Sequence, residues 1–216
     1  MQADFWHERW AKNEIGFHKS RPNPLLSRWW SCLTLEPDAP VWVPLCGKSL
    51  DMAWLREQGH PVVGIELARS ALESFAIEQQ LQLAWREQGE FSISEGDGYC
   101  LYCGDFFGLA ADDLAAVKGI YDRAALIALP EAMRRSYVEH MRRILPAGWK
   151  LLLITLDYPQ ADRPGPPFSV PDAEVRSLFA GCQVELLDEK DVLDDHPVFR
   201  EQGMTRLQER VYRITE

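Results

Sequence analysis

The sequence lacks any apolar run close to the roughly 20 residues needed to span a bilayer, so we expect no membrane-spanning segment. It also lacks the basic patch and apolar core of a secretory signal, because its first residues, Met1 to Asp4, are polar and charged. Cysteine is sparse, at 5 of 216 residues, and an odd number favours free thiols over a disulfide framework. Together these absences predict a protein of the reducing cytoplasm.

Positive charge is scarce as well. The chain has 23 lysines and arginines against 33 aspartates and glutamates, which gives a formal net charge of −10. An acidic chain is a poor binder of phosphate backbones, so we predict no nucleic-acid partner. We expect a monomer that takes a small-molecule substrate and has no membrane partner.

Clusters of metal-ligating residues are missing too. Cys100 and Cys103 form a C-x-x-C motif, but no second cysteine pair and no histidine cluster lies near them. Their setting, Tyr99-Cys100-Leu101-Tyr102-Cys103, is typical of a buried strand. We therefore predict no metal site.

Glycine-rich phosphate loops are absent, since neither G-x-G-x-x-G nor G-x-x-x-x-G-K-[ST] occurs. Instead a single glycine lies in Leu45-Cys46-Gly47-Lys48-Ser49, between the apolar run 41–43 and a helical pattern that Ser49 can cap. A second apolar run, 62–65, then ends on Glu66. Strand, turn, helix, strand and acid form the first half of a nucleotide-binding α/β fold, in which Glu66 would accept hydrogen bonds from ribose hydroxyls. The single glycine disfavours a pyrophosphate, but NAD and S-adenosylmethionine both stay open.

The remaining pattern predicts a doubly wound α/β fold with a mostly parallel, seven-stranded sheet. Five strands are expected at 41–43, 62–66, 99–103, 119–123 and 151–156, with closing strands at 184–187 and 207–214 and a hairpin insertion at 90–98. Ligands bind at the carboxyl ends of such strands. That edge should carry Leu45, Glu66, Asp105, Phe106 and Arg123.

Aromatic residues crowd the first 35 positions: Phe5, Trp6, Trp10, Phe17, Trp29 and Trp30. We predict one domain over 1–216, with 1–35 as a helical cover and 41–216 as the sheet core. For Trp10 and Phe17 two interpretations stay open. They either pack on the sheet as an extra layer or form a lid over a ligand.

Five blocks of sequence carry a family resemblance: Phe5-Trp6-His7-Glu8-Arg9-Trp10, Gly16-Phe17-His18, Val43-Pro44-Leu45-Cys46-Gly47-Lys48-Ser49-Leu50-Asp51-Met52, Val63-Gly64-Ile65-Glu66 and Tyr121-Asp122-Arg123-Ala124-Ala125-Leu126. Over essentially the whole length the chain resembles the thiopurine S-methyltransferase family, in its bacterial branch. The Pro-Leu-Cys-Gly-Lys block is the most specific part of the match.

The resemblance implies the class I S-adenosylmethionine-dependent methyltransferase fold, with an N-terminal helical lid and S-adenosyl-L-methionine as cofactor. It implies these cofactor contacts: Trp10, Leu45, Glu66, Asp105, Phe106 and Arg123. Arg123 would also act beside the reacting groups as the catalytic residue. Phe17 and Arg200 would contact the substrate, although Gln202 also fits the second position.

The implied reaction is methyl transfer to the sulfur of aromatic or heterocyclic thiols such as thiopurines, and in bacterial members also to oxidised selenium or tellurium species, as in tellurite resistance. Such an in-line displacement needs alignment more than a strong base, and a cation such as Arg123 would favour the thiolate. Three alternatives stay open. They are a methyltransferase for halide or thiocyanate, an NAD-dependent oxidoreductase and a non-catalytic binding module.

Overall fold

The computed structural model describes residues 3–12, 14, 16 and 18–216, so the predicted substrate residue Phe17 lies outside the described residues. The helices are α1 Ala3–Ala11, α2 Pro24–Trp29, α3 Leu50–Glu57, α4 Arg69–Gln79, α5 Glu131–Ile144, α6 Asp172–Leu178 and α7 Pro197–Glu201. The strands are β1 Val41–Val43, β2 Val62–Glu66, β3 Trp85–Gln88, β4 Phe91–Gly96, β5 Tyr99–Cys103, β6 Gly119–Arg123, β7 Lys150–Asp157, β8 Gln183–Asp191 and β9 Gln208–Thr215. Within the described ranges, no helix has the length and apolar composition that crossing a membrane requires.

All nine strands join one sheet in the order β3-β4-β5-β2-β1-β6-β7-β9-β8. The five central strands, from β5 to β7, pair in parallel, whereas β3, β4, β9 and β8 pair antiparallel at the two sides. This confirms the α/β fold with a parallel core. Cross-over connections between parallel strands place helices on both faces of such a sheet.

The predicted count of seven strands is wrong, because the segment expected as an inserted hairpin extends the sheet instead. Phe91 and Ile93 of β4 point into the core, which fixes β4 beside β5. The outermost strand, β3, exposes residues 86–88 and offers no apolar alternation by which it could be predicted.

The core lies on both faces of the sheet. Trp42 of β1 packs on the α5 side with Phe106 and Tyr137, while Val41 and Val43 pack on the α2–α4 side. Trp42 and Val41 are both fully buried. A short strand buried on both faces explains why its sequence shows no polar alternation.

The N-terminal cover is attached to the sheet core by buried polar contacts. Asn23 caps α2 by accepting from the Leu25 N–H at 2.8 Å, as expected for an asparagine before a helix. Its own N–H donates to Asp51 Oδ1 at 2.7 Å, and the Tyr121 hydroxyl donates to Asp51 Oδ2 at 3.0 Å. Asp51 is 3% exposed, so one buried carboxylate connects α2, α3 and β6.

Candidate functional site

The loop after β1 has an unusual backbone conformation. Leu45 and Gly47 have positive φ angles of 46° and 53°, and the Cys46 N–H donates to the Ile65 carbonyl at 2.9 Å. A Cβ atom on Gly47 would lie 3.0 Å from Cζ2 of the Trp10 indole. Glycine at position 47 therefore serves both the left-handed turn and the close approach of an aromatic ring.

Glu66 holds this loop from the carboxyl end of β2. Its Oε2 accepts from the Gly47 N–H at 2.9 Å and its Oε1 accepts from the Ala68 N–H at 2.9 Å. Burial raises the pKa of Glu66, and the hydrogen bonds from Ala68 and Gly47 oppose that rise. Each carboxylate oxygen can accept a second hydrogen bond, so the group can receive two hydroxyls of a ribose while it holds the loop.

The structure places Trp10 directly against this loop. Trp10 lies near the end of α1, is half-buried, and its ring faces Gly47 rather than the apolar core of the sheet. Helix α1 itself packs against α4. This position is the one that a lid over the loop requires, whereas contact with a cofactor stays a prediction.

Asp105 and Phe106 follow β5 at the same edge, but their side chains differ in position. Asp105 is exposed and caps a short 3-10 helix by accepting from the Phe107 N–H at 3.0 Å. The Phe106 ring is 4% exposed and stacks on Trp42, with 5.6 Å between ring centroids and 10° between planes. The ring of Phe106 belongs to the core, so its backbone is the part that can meet a ligand at the edge.

Arg123 ends β6 on the face that also carries Tyr121. Burial lowers the pKa of His18, and the charges of Lys48 and Arg123 add to that effect. Burial likewise lowers the pKa of His196, with further contributions from Lys19 and Arg123. Arg123 therefore faces a space bordered by the segment before α2 and by the segment before α7.

Sequence reasoning missed Glu209 of β9, which faces the same space. Burial raises the pKa of Glu209, and the positive charges of Arg123, Lys19 and Lys190 oppose this rise. The signal available in the sequence was its place two residues before Val211, a core residue of the closing strand.

Arg200, the predicted substrate contact, lies on α7 with its side chain 58% exposed and paired with Asp194. Gln202, the other possible position, accepts from Arg163 Nη1 at 2.8 Å. Arg163 also lies over the Phe199 ring, 4.5 Å from its centroid. The proline-rich loop after β7 is thus linked to α7, and the substrate role of Arg200 stays a prediction.

Among residues 3–12, 14, 16 and 18–216, no group of three or more His, Cys, Asp or Glu side chains is arranged to hold a metal ion. Cys100 and Cys103 are free thiols. Burial raises the pKa of both, that of Cys100 to about 11. Thiols with raised pKa values are poor nucleophiles and poor metal ligands.

The model of the thiopurine S-methyltransferase family matches residues 1–216. A thiopurine S-methyltransferase from Pseudomonas fluorescens (strain Pf0-1) is 53% identical over 215 residues, covering 99% of each chain. One from Azotobacter vinelandii is 51% identical over 215 residues, again covering 99% of each chain. The chain belongs to the thiopurine S-methyltransferase family. This confirms the family predicted from the sequence, and with it an S-adenosylmethionine-dependent S-methyltransferase.

Solved methyltransferase structures share the fold of this family member. The 1,6-didemethyltoxoflavin-N1-methyltransferase of Burkholderia thailandensis, solved with S-adenosylhomocysteine, has a TM-score of 0.66 at 14% identity, covering 99% of this chain and 87% of that chain. A SAM-dependent methyltransferase from Anabaena variabilis has a TM-score of 0.66 at 16% identity, covering 99% and 94%. At these identities the likeness concerns the fold, and it confirms the predicted class I methyltransferase fold.

Proposed function

We propose that this family member transfers the methyl group of S-adenosylmethionine to the sulfur of aromatic or heterocyclic thiols, thiopurines among them. The observation that carries the proposal is the contact of Gly47 with both Glu66 and Trp10 at the carboxyl edge of β1 and β2. It sets a buried carboxylate and an aromatic ring against a single-glycine turn, without the glycine-rich loop that a pyrophosphate requires. We further propose a monomer of one domain that works in the cytoplasm, with 1–35 as the cover and 41–216 as the sheet core.

In this proposal different residues at the sheet edge bind different parts of the cofactor. The Glu66 carboxylate receives the ribose hydroxyls, and Leu45 contributes backbone groups from its left-handed turn. Asp105 and the Phe106 backbone meet the adenine. Trp10 covers the site, where its ring can also face the positive sulfonium. The donated methyl carbon is the one reactive group that the cofactor supplies.

Positive charge on the acceptor side of the proposed site favours an anionic acceptor. The charge of Arg123 acts on His18 and His196, whose pKa values are lowered mainly by burial, so both imidazoles are predominantly neutral near pH 7. With both imidazoles neutral, the positive charge near them comes from Arg123, with contributions from Lys19 and Lys48. A fixed cation stabilises the negative charge of a thiolate and so increases the fraction of acceptor ready to attack.

A panel of acceptors tests the proposal. The purified protein would be given S-adenosylmethionine with 6-mercaptopurine, thiophenol, iodide, thiocyanate, selenite or tellurite, and methylated products would be identified by mass spectrometry. We expect methylated thiols to be the main products. The reactions with selenite and tellurite show whether the enzyme also methylates oxidised selenium and tellurium species. Methylation of iodide or thiocyanate alone would favour the alternative small-nucleophile enzyme. Binding of S-adenosylhomocysteine with no product from any acceptor would indicate a binding module.

Calorimetric titration with NAD tests the remaining alternative, an NAD-dependent oxidoreductase. The single glycine of the β1 loop offers no cradle for a pyrophosphate, so we expect S-adenosylhomocysteine to bind and NAD not to bind. The reverse preference would replace the proposal with an oxidoreductase.

A further inference from the structure

Strand register places Glu209 at the acceptor side of the site. Arg123 of β6 pairs with Ile154 of β7, and Ile154 pairs with Val211 of β9, so these three residues form one row on one face. Glu209 lies two residues along β9 from Val211, opposite Leu156. Side chains two residues apart share a face of a sheet. Glu209 therefore projects from the face that carries Arg123, one step nearer the carboxyl edge where the ligand site lies.

Glu209 is surrounded mainly by positive charge. The groups that interact with it electrostatically are Arg123 and Tyr121 of β6, Lys19 of the segment before α2, and Lys190 and Asp188 of β8. Three of these are cations and one is an anion. Asp188 is already engaged, since it accepts from Trp29 Nε1 at 3.2 Å and pairs with Arg28 at 3.2 Å. Burial raises the pKa of Glu209, and the three cations oppose that rise.

The same carboxylate has unused hydrogen-bonding capacity. In the described part of the chain, no residue donates a hydrogen bond to Glu209 or forms an ion pair with it at short range. The next residue of β9, Arg210, lies on the other face and has its partners within the protein, because it forms ion pairs with both Asp157 and Glu189. A half-buried carboxylate beside a ligand site, with acceptor sites open, is suited to a donor on the ligand.

We propose that Glu209 binds the ring N–H that adjoins the reacting thiocarbonyl carbon of a heteroaromatic acceptor and takes its proton as the methyl group is transferred. This inference rests on the proposed function, because it assumes an acceptor whose sulfur is methylated. It assigns Glu209 a catalytic role and makes it the residue that selects heterocyclic thiones over simple thiols.

The chemistry balances without any added reagent. A heteroaromatic thiol exists largely as a thione, with hydrogen on the ring nitrogen and a C=S double bond. The N–H bond pair moves to form C=N, and the C=S π pair moves to sulfur. Sulfur then forms its bond to the methyl carbon while the bond from that carbon to the cofactor sulfur breaks. The proton ends on Glu209 and the leaving group is neutral S-adenosylhomocysteine.

Glu209 and Arg123 have complementary tasks in this arrangement. The cation can stabilise charge on the sulfur, whereas only the anion can accept the ring proton. Burial raises the pKa of Glu209, which makes its carboxylate a stronger proton acceptor than a carboxylate exposed to water. An aromatic thiol that has no ring N–H and is already ionised at neutral pH has no proton to give up, so its methylation does not need the Glu209 carboxylate.

The test is the variant Glu209→Gln, which keeps the size and one acceptor oxygen but cannot take a proton. Turnover would be measured with 6-mercaptopurine, which has ring N–H groups, and with 4-nitrothiophenol, which has none. At saturating substrate we expect kcat on 6-mercaptopurine to fall by roughly 100-fold and kcat on 4-nitrothiophenol to change by less than about 3-fold. The low-pH limb of the kcat profile on 6-mercaptopurine should disappear as well.

The matched control is Glu185→Gln, which removes a carboxylate from β8 that pairs with Arg213 at 2.6 Å. We expect it to keep wild-type kcat on both acceptors, and S-adenosylhomocysteine affinity should be the same in both variants and the wild type. An equal fall on both acceptors in Glu209→Gln, or no fall on either, would overturn the inference while leaving the proposed function intact. A wild-type protein that methylates neither acceptor would instead overturn the proposed function, and the inference with it.

Discussion

Replacing Glu66 by glutamine perturbs the proposed cofactor site at a side chain that joins β2 to the β1 loop. Each carboxylate oxygen of Glu66 accepts one backbone N–H, from Gly47 and from Ala68, both at 2.9 Å. An amide has only one oxygen. Its NH2 group must therefore meet one of these two N–H groups, and a donor then faces a donor.

The expected magnitude follows from the bonds that change. A hydrogen bond to a charged group contributes about 1.5–3 kcal/mol, so losing one charge-assisted ribose contact should cost about 2 kcal/mol of binding free energy, or roughly 30-fold in Kd. Stability should fall by less. Burial already raises the pKa of Glu66, which means that burying its charge is costly, and the neutral amide removes that cost.

The assay is calorimetric titration of S-adenosylhomocysteine into the wild type and Glu66→Gln. Glu73→Gln serves as the control, because Glu73 is an exposed residue of α4 that pairs with Arg69 at 2.9 Å on the helix surface. We expect a wild-type Kd for the control. A Glu66→Gln protein that is folded and binds within about 3-fold of the wild type would refute the assignment of the ribose to Glu66.

Three further predictions concern the lid, the acceptor side and the core. Trp10→Ala should weaken S-adenosylhomocysteine binding by roughly 10-fold, because losing an aromatic ring over the ligand should cost about 1.4 kcal/mol, near the lower end of the range for burying a large apolar side chain. Titration followed by tryptophan fluorescence measures the change, and wild-type affinity would assign Trp10 to packing. Arg123→Ala should lower turnover on thiol acceptors at saturating cofactor by roughly 10- to 100-fold, and an unchanged rate would remove Arg123 from the chemistry. Burial raises the pKa of Asp122 from 3.8 to about 6, so the stability contributed by its protonated form is present below the lower value and lost as pH rises through the higher one. The free energy of unfolding of Asp122→Asn, measured with denaturant, should rise relative to that of the wild type by up to about 3 kcal/mol as pH increases from about 4 to 7.5. A difference in unfolding free energy that does not change with pH would contradict this.

Local patterns predicted where the β1 loop and Glu66 lie at the sheet edge, and their contacts with the cofactor stay predictions. Glu66 could be predicted because the apolar run before it ends where a parallel strand must end, next to the turn at Gly47. Ser49 was expected to cap the following helix, and its Oγ accepts from the Asp51 N–H at 3.2 Å. In each case the deciding interaction is between residues close in sequence or on adjacent strands.

Long-range packing decided what could not be predicted. The Phe106 ring stacks on Trp42, which is 64 positions away in sequence, so the ring belongs to the core, while contact of its backbone with a ligand stays a prediction. Asp51 links Asn23 to Tyr121, and no pattern around Asp51 indicates either partner. Strand register across β7 places Glu209 and Arg123 on one face of the sheet, and this register depends on how the closing strands pair, which local sequence patterns do not show.

The most direct test of the central claim is to follow the methyl group itself. S-adenosylmethionine labelled with 13C in its methyl group would be incubated with the protein and 6-mercaptopurine, and the product would be examined by 13C NMR. Sulfur and the ring nitrogens compete as acceptors, and they give methyl resonances at different positions. The site described above predicts a single labelled methyl group on sulfur. Label on a ring nitrogen, or a label that stays on S-adenosylmethionine although the cofactor binds, would contradict it.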